Sequence, residues 1–561
     1  MLKNFLAIFN KGEPSSKSTS QESSIRVGGP SITDTARDQS RLDGLFVSAG
    51  EAFDRGDSIT ALDHYLSLLK LAPDHAKAHV MAGFLFQQRA NLSQAKHHLD
   101  AAVGLNPNLA DAYFLRGQVA ASEGDMNMMQ QAFRTSLGIE ARQEQIYLPL
   151  VMALFQAKEL DQALVYVKQG LSNFPSNAAL WNCLGNLHFS RKEMEAAKGA
   201  YQEARDLIEF DAGIEYNYAI ACAIAGHYQD ALAAVERILE REPRHVFARF
   251  QRGVLRLQQG DFAGGWTDLE SRWELPTLQG VRFQSSKPQW DGSQDLKGKT
   301  ILLLSEQGFG DTLQFCRFIP FLAARGARVI FVTFGPLWEL MQQIPGVAHL
   351  LNESDALPSY DYYCELMSLP RALKLTLDSI PSQHHYLVAP LNAAQKWNAI
   401  LPKKERLRVG YVWCGNPQHA TDSYRSIPYD EARIAFKFDA QFIVLLKELQ
   451  NAEKDDICGL QNVAFYGDQM QSFSDTAGLI EQVDVVVTVD TSVAHLAGAM
   501  GKRCIVLLSY HSDWRWLLER DDSPWYPSVS LVRQKRGQTW RELVESVCRD
   551  QLGLRLKEPT A

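Results

Sequence analysis

The sequence predicts a multidomain chain, an all-α solenoid followed by an α/β module built from two doubly wound subdomains. Three observations lead there. A 34-residue period runs from about 42 to 275, near residue 280 it gives way to short apolar runs alternating with amphipathic stretches, and those runs end in polar, glycine-bearing loops.

The first segment, 1–40, reads as disordered. Leu2, Phe5, Leu6 and Phe9 share one face of a short helix that docks on a membrane or on the protein, or frays. The stretch is too short and lacks the small-residue cleavage site of a secretory leader. Residues 11–40 are rich in Ser, Thr, Gly and charge, a composition without enough apolar surface to order itself. No apolar run approaches the ~20 residues needed to cross a bilayer. The 8 cysteines are scattered without a Cys-x-x-Cys pair, which argues for free thiols in a reducing compartment and a cytoplasmic location. At 46% hydrophobic residues a large core is available, and a formal net charge of -8 gives no basic footprint for nucleic acid.

The repeat array is predicted over 41–279. Small residues open the second helix of each unit (Ala61, Ala95, Ala163, Ala197, Ala231, Gly265), with Met129 the misfit. Four residues on stands a bulky apolar side chain: Tyr65, Leu99, Phe133, Val167, Tyr201, Val235 and Leu269. Gly83, Gly117, Gly185 and Gly253 hold one equivalent place in the first helices, and Pro73, Pro107, Pro175 and Pro243 mark helix ends. A small residue lets two helix backbones approach, a bulky one fills the adjacent gap, and proline stops the helix. No unit buries its apolar face alone, so stacking makes the core. This register resembles the tetratricopeptide repeat, which implies a concave groove for a peptide or helix. The array's histidines, His79 and His98 among them, are expected in solvated or packing roles, and the last unit, with Gly264, Gly265 and Trp266, as a cap or junction.

The module divides into 280–400 and 401–561. Strands are predicted at 300–305, 327–333, 408–413, 441–446, 484–489 and 503–508, and helices at 312–325, 336–343, 473–482, 492–500 and 538–552. Alternating strand and helix implies parallel sheets covered on both faces, with ligands at the strands' carboxyl ends. The irregular stretch 377–405 separates the two strand clusters.

Three loops at strand ends carry the polar chemistry. In SEQGFGDTLQF (305–315), Gly308 and Gly310 permit a tight turn and close ligand approach, and Asp311 opens a helix, either as a cap or as a carboxylate held for chemistry. The glycines match neither the dinucleotide nor the Walker pattern. WCGNPQHATDSYRSIP (413–428) collects Asn416, His419, Asp422, Arg425 and Ser426, either a surface loop with internal salt links or a site in which Arg425 clamps a phosphate. VDVVVTVDTSVAHLAGAMGK (483–502) ends a buried strand in Asp490, Thr491 and Ser492, with His495 in the first turn of the next helix. Thr491 or Ser492 is expected to cap that helix, whose free N–H groups form a phosphate site. Alone, this third loop reads as a structural cap with a packed histidine.

Together, EQGFGD, WCGNP…RS and VDTSVAHLAGAMG, with HSDWRWLLERDDSPWYP at 511–527, resemble the heptosyltransferase-like glycosyltransferases of family nine in the variant fused to tetratricopeptide repeats. The layout is also similar to that of O-linked N-acetylglucosamine transferases. The resemblance implies a two-Rossmann, GT-B type glycosyltransferase with Asp311 as general base. It implies a donor site of Gly308, Gly310, Asn416, Arg425, Ser426, Asp490, Thr491, Ser492 and His495, with Arg where relatives often carry Lys. The expected partners are a nucleotide-sugar donor and a protein acceptor in the repeat groove, flagellin or another surface protein by family analogy, with inversion at the sugar, no metal and no resident cofactor. Asp521 and Asp522 are adjacent and do not make an Asp-x-Asp metal motif. Two other readings are a non-catalytic scaffold whose transferase-like module only binds nucleotide, and an enzyme acting on a lipid-linked glycan.

Overall fold

The computed structural model describes residues 32–278, 280–381, 384–419 and 422–557. The expected apolar face at Leu2–Phe9 lies outside them. The chain forms two compact units, Met1–Phe174 and Pro175–Ala561.

The first unit is a run of helices, Ile32–Asp54, Ser58–Leu71, Ala76–Gln88, Leu92–Leu105, Ala110–Glu123, Met126–Ile139, Glu144–Gln156 and Leu160–Asn173. The expectation of disorder through residue 40 is corrected here, because the first helix already starts at Ile32. That helix pairs with Ser58–Leu71 through a core of Ala49, Phe53, Ala61, Leu62 and Tyr65, so burial of its later turns supports the earlier ones. The repeat logic is visible atom by atom. A Cβ on Gly83 would stand 2.7 Å from Leu99 Cγ, and one on Gly117 2.4 Å from the Phe133 ring. Gly83 and Gly117 are therefore the sockets for the bulky residues of the second helices. Asp57, Asn91 and Asp125 cap successive second helices, accepting from the N–H of Thr60, Gln94 and Met128 at 3.0, 3.2 and 2.9 Å. Met129, the misfit, is buried in the slot its small counterparts occupy.

The second unit continues the helix pairs with Ala178–Ser190, Met194–Asp206, Ala212–Ile224, Tyr228–Arg241, Val246–Gln258 and Phe262–Leu269, closed by a 3-10 turn at Glu270–Glu274. Two all-parallel sheets come next. The first has the order β3-β2-β1-β4, with β1 Thr300–Leu304, β2 Arg328–Thr333, β3 Val347–Asn352 and β4 Tyr362–Glu365. The second has the order β10-β9-β8-β5-β6-β7, with β5 Arg408–Val412, β6 Gln441–Val444, β7 Val463–Phe465, β8 Val485–Val489, β9 Cys504–Leu508 and β10 Val529–Arg533. In each, strand order reverses beside the first strand, between β1 and β4 and between β5 and β8, which makes the crevice at their carboxyl ends the place for a ligand.

All six strands predicted from sequence are present, and the four missed, β3, β4, β7 and β10, are the sheet edges. None of the four gives a long continuous apolar run, because β4 and β7 have 4 and 3 residues and β3 and β10 are partly exposed along their length. The helix expected over 312–325 is three pieces, Phe309–Phe315, a 3-10 turn at Cys316–Phe318 and Ile319–Ala324, with Pro320 starting the last. The helix expected over 538–552 runs from Trp540 to Ser546 and widens into a π turn at Val547–Gln551.

The core of this unit crosses the 279/280 boundary. Phe262, Trp266 and Leu269 of the last helix pair share one cluster with Trp290, Ile301, Phe315, Trp514 and Trp525. Turns between paired helices also reach the module. Lys192 Nζ donates to Ser423 O at 2.9 Å, Gln258 Nε2 to Ser512 O at 2.8 Å, and the Arg536 guanidinium to Ala225 O. These are equivalent turns, one repeat apart.

Candidate active site

The site is assembled from the loops at the carboxyl ends of β1, β5 and β8. Beyond β1 the chain passes Glu306 and turns at Gln307, whose φ of 60° is unusual for a non-glycine residue, before Gly308 begins the helix Phe309–Phe315. The Gly308 N–H donates to Asp311 Oδ2 at 3.1 Å, so Asp311 closes the first turn from inside the helix and is not the cap residue. Its other oxygen, Oδ1, is ion-paired with Arg515 Nη2. Burial pushes the Asp311 carboxyl above the usual range; Arg515 pulls it back and Asp513 adds to the rise.

After β8, Asp490 leads into the helix Ser492–Ala499. Thr491 occupies the cap position, but its hydroxyl pairs with Thr488 Oγ1 at 3.1 Å and makes no cap bond, contrary to expectation. His495 is buried, with Nδ1 2.9 Å from the Tyr526 hydroxyl and its ring stacked on Trp516 at 5.4 Å. Burial, then the charges of Arg515, Arg317 and Arg425, hold its pKa well below the ordinary value, so the ring is neutral near pH 7. Burial and Asp513 push Asp490 up to about 6 against the pull of Arg425 and a Trp516 hydrogen bond.

After β5, Arg425 spans two loops. Its Nη1 donates to Asp490 O at 3.0 Å and its Nε contacts Asp422 Oδ1 at 3.2 Å. Ser426 Oγ accepts from the Gly415 N–H at 2.9 Å, tightening the same loop. Asn416 is exposed, and its Oδ1 accepts from the Gln418 N–H at 3.0 Å.

The three loops meet. A Cβ on Gly310 would lie 3.0 Å from His495 Cδ2 and 3.7 Å from Ser492 Cα, so the β1 loop packs directly on the β8 helix and any side chain here would press on the His495 ring. Arg425 ties the β5 loop to Asp490, and Arg515 ties 511–517 to Asp311. Asn416 and Ser426 remain in contacts of their own loop. Sequence reasoning assigned no role to Asp513, Arg515, Trp516 or Tyr526, although it marked HSDWRWLLERDDSPWYP. The signal was the density of Trp, Arg and Asp in a segment without helical or strand period. Arg515 is the centre of that group, with Nε donating to Gln314 Oε1 at 2.7 Å and Nη1 to Asp513 Oδ1 at 2.9 Å.

Two parallel sheets with carboxylates, arginines and a helix start gathered at the carboxyl ends of their strands make an α/β module with its polar groups collected where such sheets bind ligands. Comparison with known proteins places it further. Residues 469–548 match Glycosyltransferase family 9 (heptosyltransferase), and 110–143, 148–212 and 225–273 match tetratricopeptide repeats. The chain thus carries tetratricopeptide repeats and a glycosyltransferase family 9 domain at its C-terminus, and its enzymatic class is glycosyltransferase. The matched segment contains Asp490, Thr491, His495 and Arg515; Asp311 and Arg425 lie before it. Protein FlbA of Caulobacter vibrioides is 25% identical over 419 residues, covering 70% of each chain. Anaphase-promoting complex subunit 3 of Schizosaccharomyces pombe is 22% identical over 176 residues, 31% of this chain and 26% of that one. Among solved structures, Pseudomonas aeruginosa PilF has 18% identity and a TM-score of 0.31 over 37% of this chain and 93% of its own.

Proposed function

We propose that the protein transfers a sugar from a nucleotide-sugar donor to an acceptor hydroxyl on a protein held by the repeats, by inversion, without a metal and without a resident cofactor. In this reading the two sheets form a GT-B type pair with the reaction in the crevice between them. The observation that carries it is the contact of Gly310 with His495 and Ser492, which sets the Asp311 turn against the helix start after β8.

Asp311 accepts the proton of the acceptor hydroxyl as that oxygen bonds to the anomeric carbon. The bond from that carbon to the diphosphate breaks on the opposite face, and its electron pair leaves with the nucleotide. The N-terminal N–H groups of Ser492–Ala499, with Thr491 and Ser492, take the diphosphate, and the charges of Arg425 and Arg515 stabilise it as it leaves. Gly308 and Gly310 let the donor approach the backbone. Neutral His495, oriented through Nδ1 by Tyr526, serves as a hydrogen-bonding group to the donor, and Asp490, Asn416 and Ser426 complete the donor side. Arg515 pulls the Asp311 carboxyl down against the rise that burial causes, which favours the ionised form a base requires. The repeats raise the local concentration of the acceptor. In the first unit a groove of about 300 Å³ lined by Gln87, Phe114, Gln118, Ser122 and Pro149 is suited to an extended segment. Flagellin or another surface-structure protein is the acceptor we favour, and the cytoplasm the compartment.

The ion pair that occupies Asp311 Oδ1 favours a second reading, a scaffold that binds nucleotide without turnover. One experiment separates them. The full-length chain is screened for thermal stabilisation by a panel of nucleotide sugars, where a donor at 100 times its dissociation constant adds about 2.7 kcal/mol. The stabilising donor is then incubated with candidate acceptors and read by intact mass. A sugar adduct that disappears in Asp311→Asn supports transfer; stabilisation without adduct or free-sugar release supports the scaffold and ends the enzyme reading.

A further inference from the structure

Arg272 sits on the 3-10 turn that ends the repeat array and is 0% exposed. Its guanidinium is fully committed. Nε and Nη2 donate to the two oxygens of Glu306 at 3.1 and 3.0 Å, Nη2 also to Ser368 Oγ at 2.8 Å, and Nη1 to Glu270 Oε1 at 2.7 Å. Glu306 is buried as well and accepts the Met367 N–H at 2.9 Å. A residue of the last repeat thus bridges the carboxyl ends of β1 and β4, where strand order reverses.

Glu306 is the residue before the strained Gln307, and Gly308 and Asp311 come within the same turn. A fork-to-carboxylate contact fixes both the position and the plane of the acid it holds. The chain between Glu306 and Asp311 is too short to absorb a shift at one end without moving the other. Burial pushes the Glu306 carboxyl up to about 7, Glu365 adds to the rise and Arg272 opposes it. Without Arg272 the acid would be a buried, unpaired group beside a second carboxylate, and the loop would move to find water.

We infer that Arg272 is a positioning residue for the loop that carries Asp311, so that the repeat array completes the transferase site as well as presenting the acceptor. The inference rests on the role proposed above for Asp311. It makes the repeats inseparable from catalysis, even toward a small acceptor that needs no groove.

The test uses the full-length chain with Arg272→Met, Arg272→Lys and the isosteric Glu306→Gln. With Arg272→Met, kcat should fall about 100-fold, the loss expected of a misplacement near 1 Å, while the donor dissociation constant rises by no more than about tenfold, because Gly308 and Gly310 share the displaced loop but the helix start after β8 does not. Arg272→Lys, which keeps the charge without the fork, should recover about a tenth of the lost rate. Amide exchange over 305–312 should accelerate about tenfold in Arg272→Met while 484–499 is unchanged. Should Arg272→Met not fold, Glu306→Gln gives the same reading with a kcat loss of about tenfold. Unchanged exchange over 305–312 in whichever variant folds would overturn the inference, as would donor affinity falling in step with kcat. Exchange needs no turnover, so a wild-type chain that binds donor but transfers nothing would sink the enzyme reading separately.

Discussion

The two compact units differ in the charge they bury. Among the described residues of the first, the buried polar side chains are His79, His98, Gln130, Ser136 and Gln143, all of neutral type. Four of them pair with one another, His79 and His98 bringing their Nδ1 atoms to 2.9 Å and Gln143 Nε2 donating to Ser136 Oγ at 2.9 Å, while Gln130 Oε1 accepts from Arg134 Nη2 at 3.2 Å. The second unit buries Glu215, Asp268, Arg272, Glu306, Arg317, Glu365, Arg408, Asp422 and Asp475. A stack of helix pairs needs only to satisfy its few interior polar atoms, and neutral pairs do so at the lowest desolvation cost. Charges are worth burying where a defined potential is wanted, and here they concentrate at strand ends and where the last repeats meet the module.

If the charges gathered at the strand ends serve chemistry, removing them should cost rate more than fold, whereas a charge buried among the repeat helices should cost fold alone. The largest effect is expected from Asp311→Asn, which keeps the Gly308 contact but cannot take a proton. Transfer should fall about 10³-fold with the nucleotide dissociation constant unchanged, read by sugar transfer and calorimetry side by side. A rate within a few-fold of wild type would assign Asp311 to closing the first helical turn alone.

Arg515→Met comes next. Asp311 is already raised by burial and lowered by Arg515, so loss of the cation raises its carboxyl further. The base is active when ionised. The acid limb of the kcat/KM profile should therefore move to higher pH, with a loss of about 10²-fold at pH 7. An acid limb that stays in place would detach Arg515 from the base. A third variant, Glu215→Gln, removes the shared partner of Arg205 and Arg237, which contact it at 2.9 and 2.7 Å. Both arginines reach solvent, so the cost should be about 2 kcal/mol of stability in urea melts, below the range for a fully buried pair, with transfer unchanged.

The same division explains what was legible in the sequence. Helix pairing was readable because it is written in periodic size: Gly83 under Leu99 and Gly117 under Phe133 recur at fixed spacing. Central strands were readable because burial on both faces makes an uninterrupted apolar run, and edge strands such as β3 were not. The loops after β1, β5 and β8 stood out as polar residues at the ends of such runs. The partners that hold them did not. Arg515 is 204 residues from Asp311 and Arg272 is 34 from Glu306, and nothing local in an arginine says which carboxylate it will meet. Thr491 was read as a cap from propensity, and a neighbouring hydroxyl, Thr488, competed for it.

The smallest effect belongs to the first unit and comes from its neutrality. His98 has its pKa lowered to about 4 by burial and by the neighbouring His79 and His97, and His79 is lowered by burial and by His97 and His75, against a hydrogen bond to Pro73 O. A histidine whose folded pKa is depressed supports the fold above its unfolded value of 6.5 and withdraws that support as pH falls toward 4. The repeats should therefore lose on the order of 1–2 kcal/mol between pH 6.5 and pH 4, seen as a drop of several degrees in the melting of a far-ultraviolet helical signal. Replacing His98 with Phe, which can stack on Phe86 as His98 does at 5.4 Å, removes the titrating group and should flatten that slope. His79 would then lack its Nδ1 partner, so the variant should melt lower than wild type at pH 7 by about 1 kcal/mol. If the acid slope persisted unchanged in His98→Phe, the pair would not be what makes the repeats acid-sensitive.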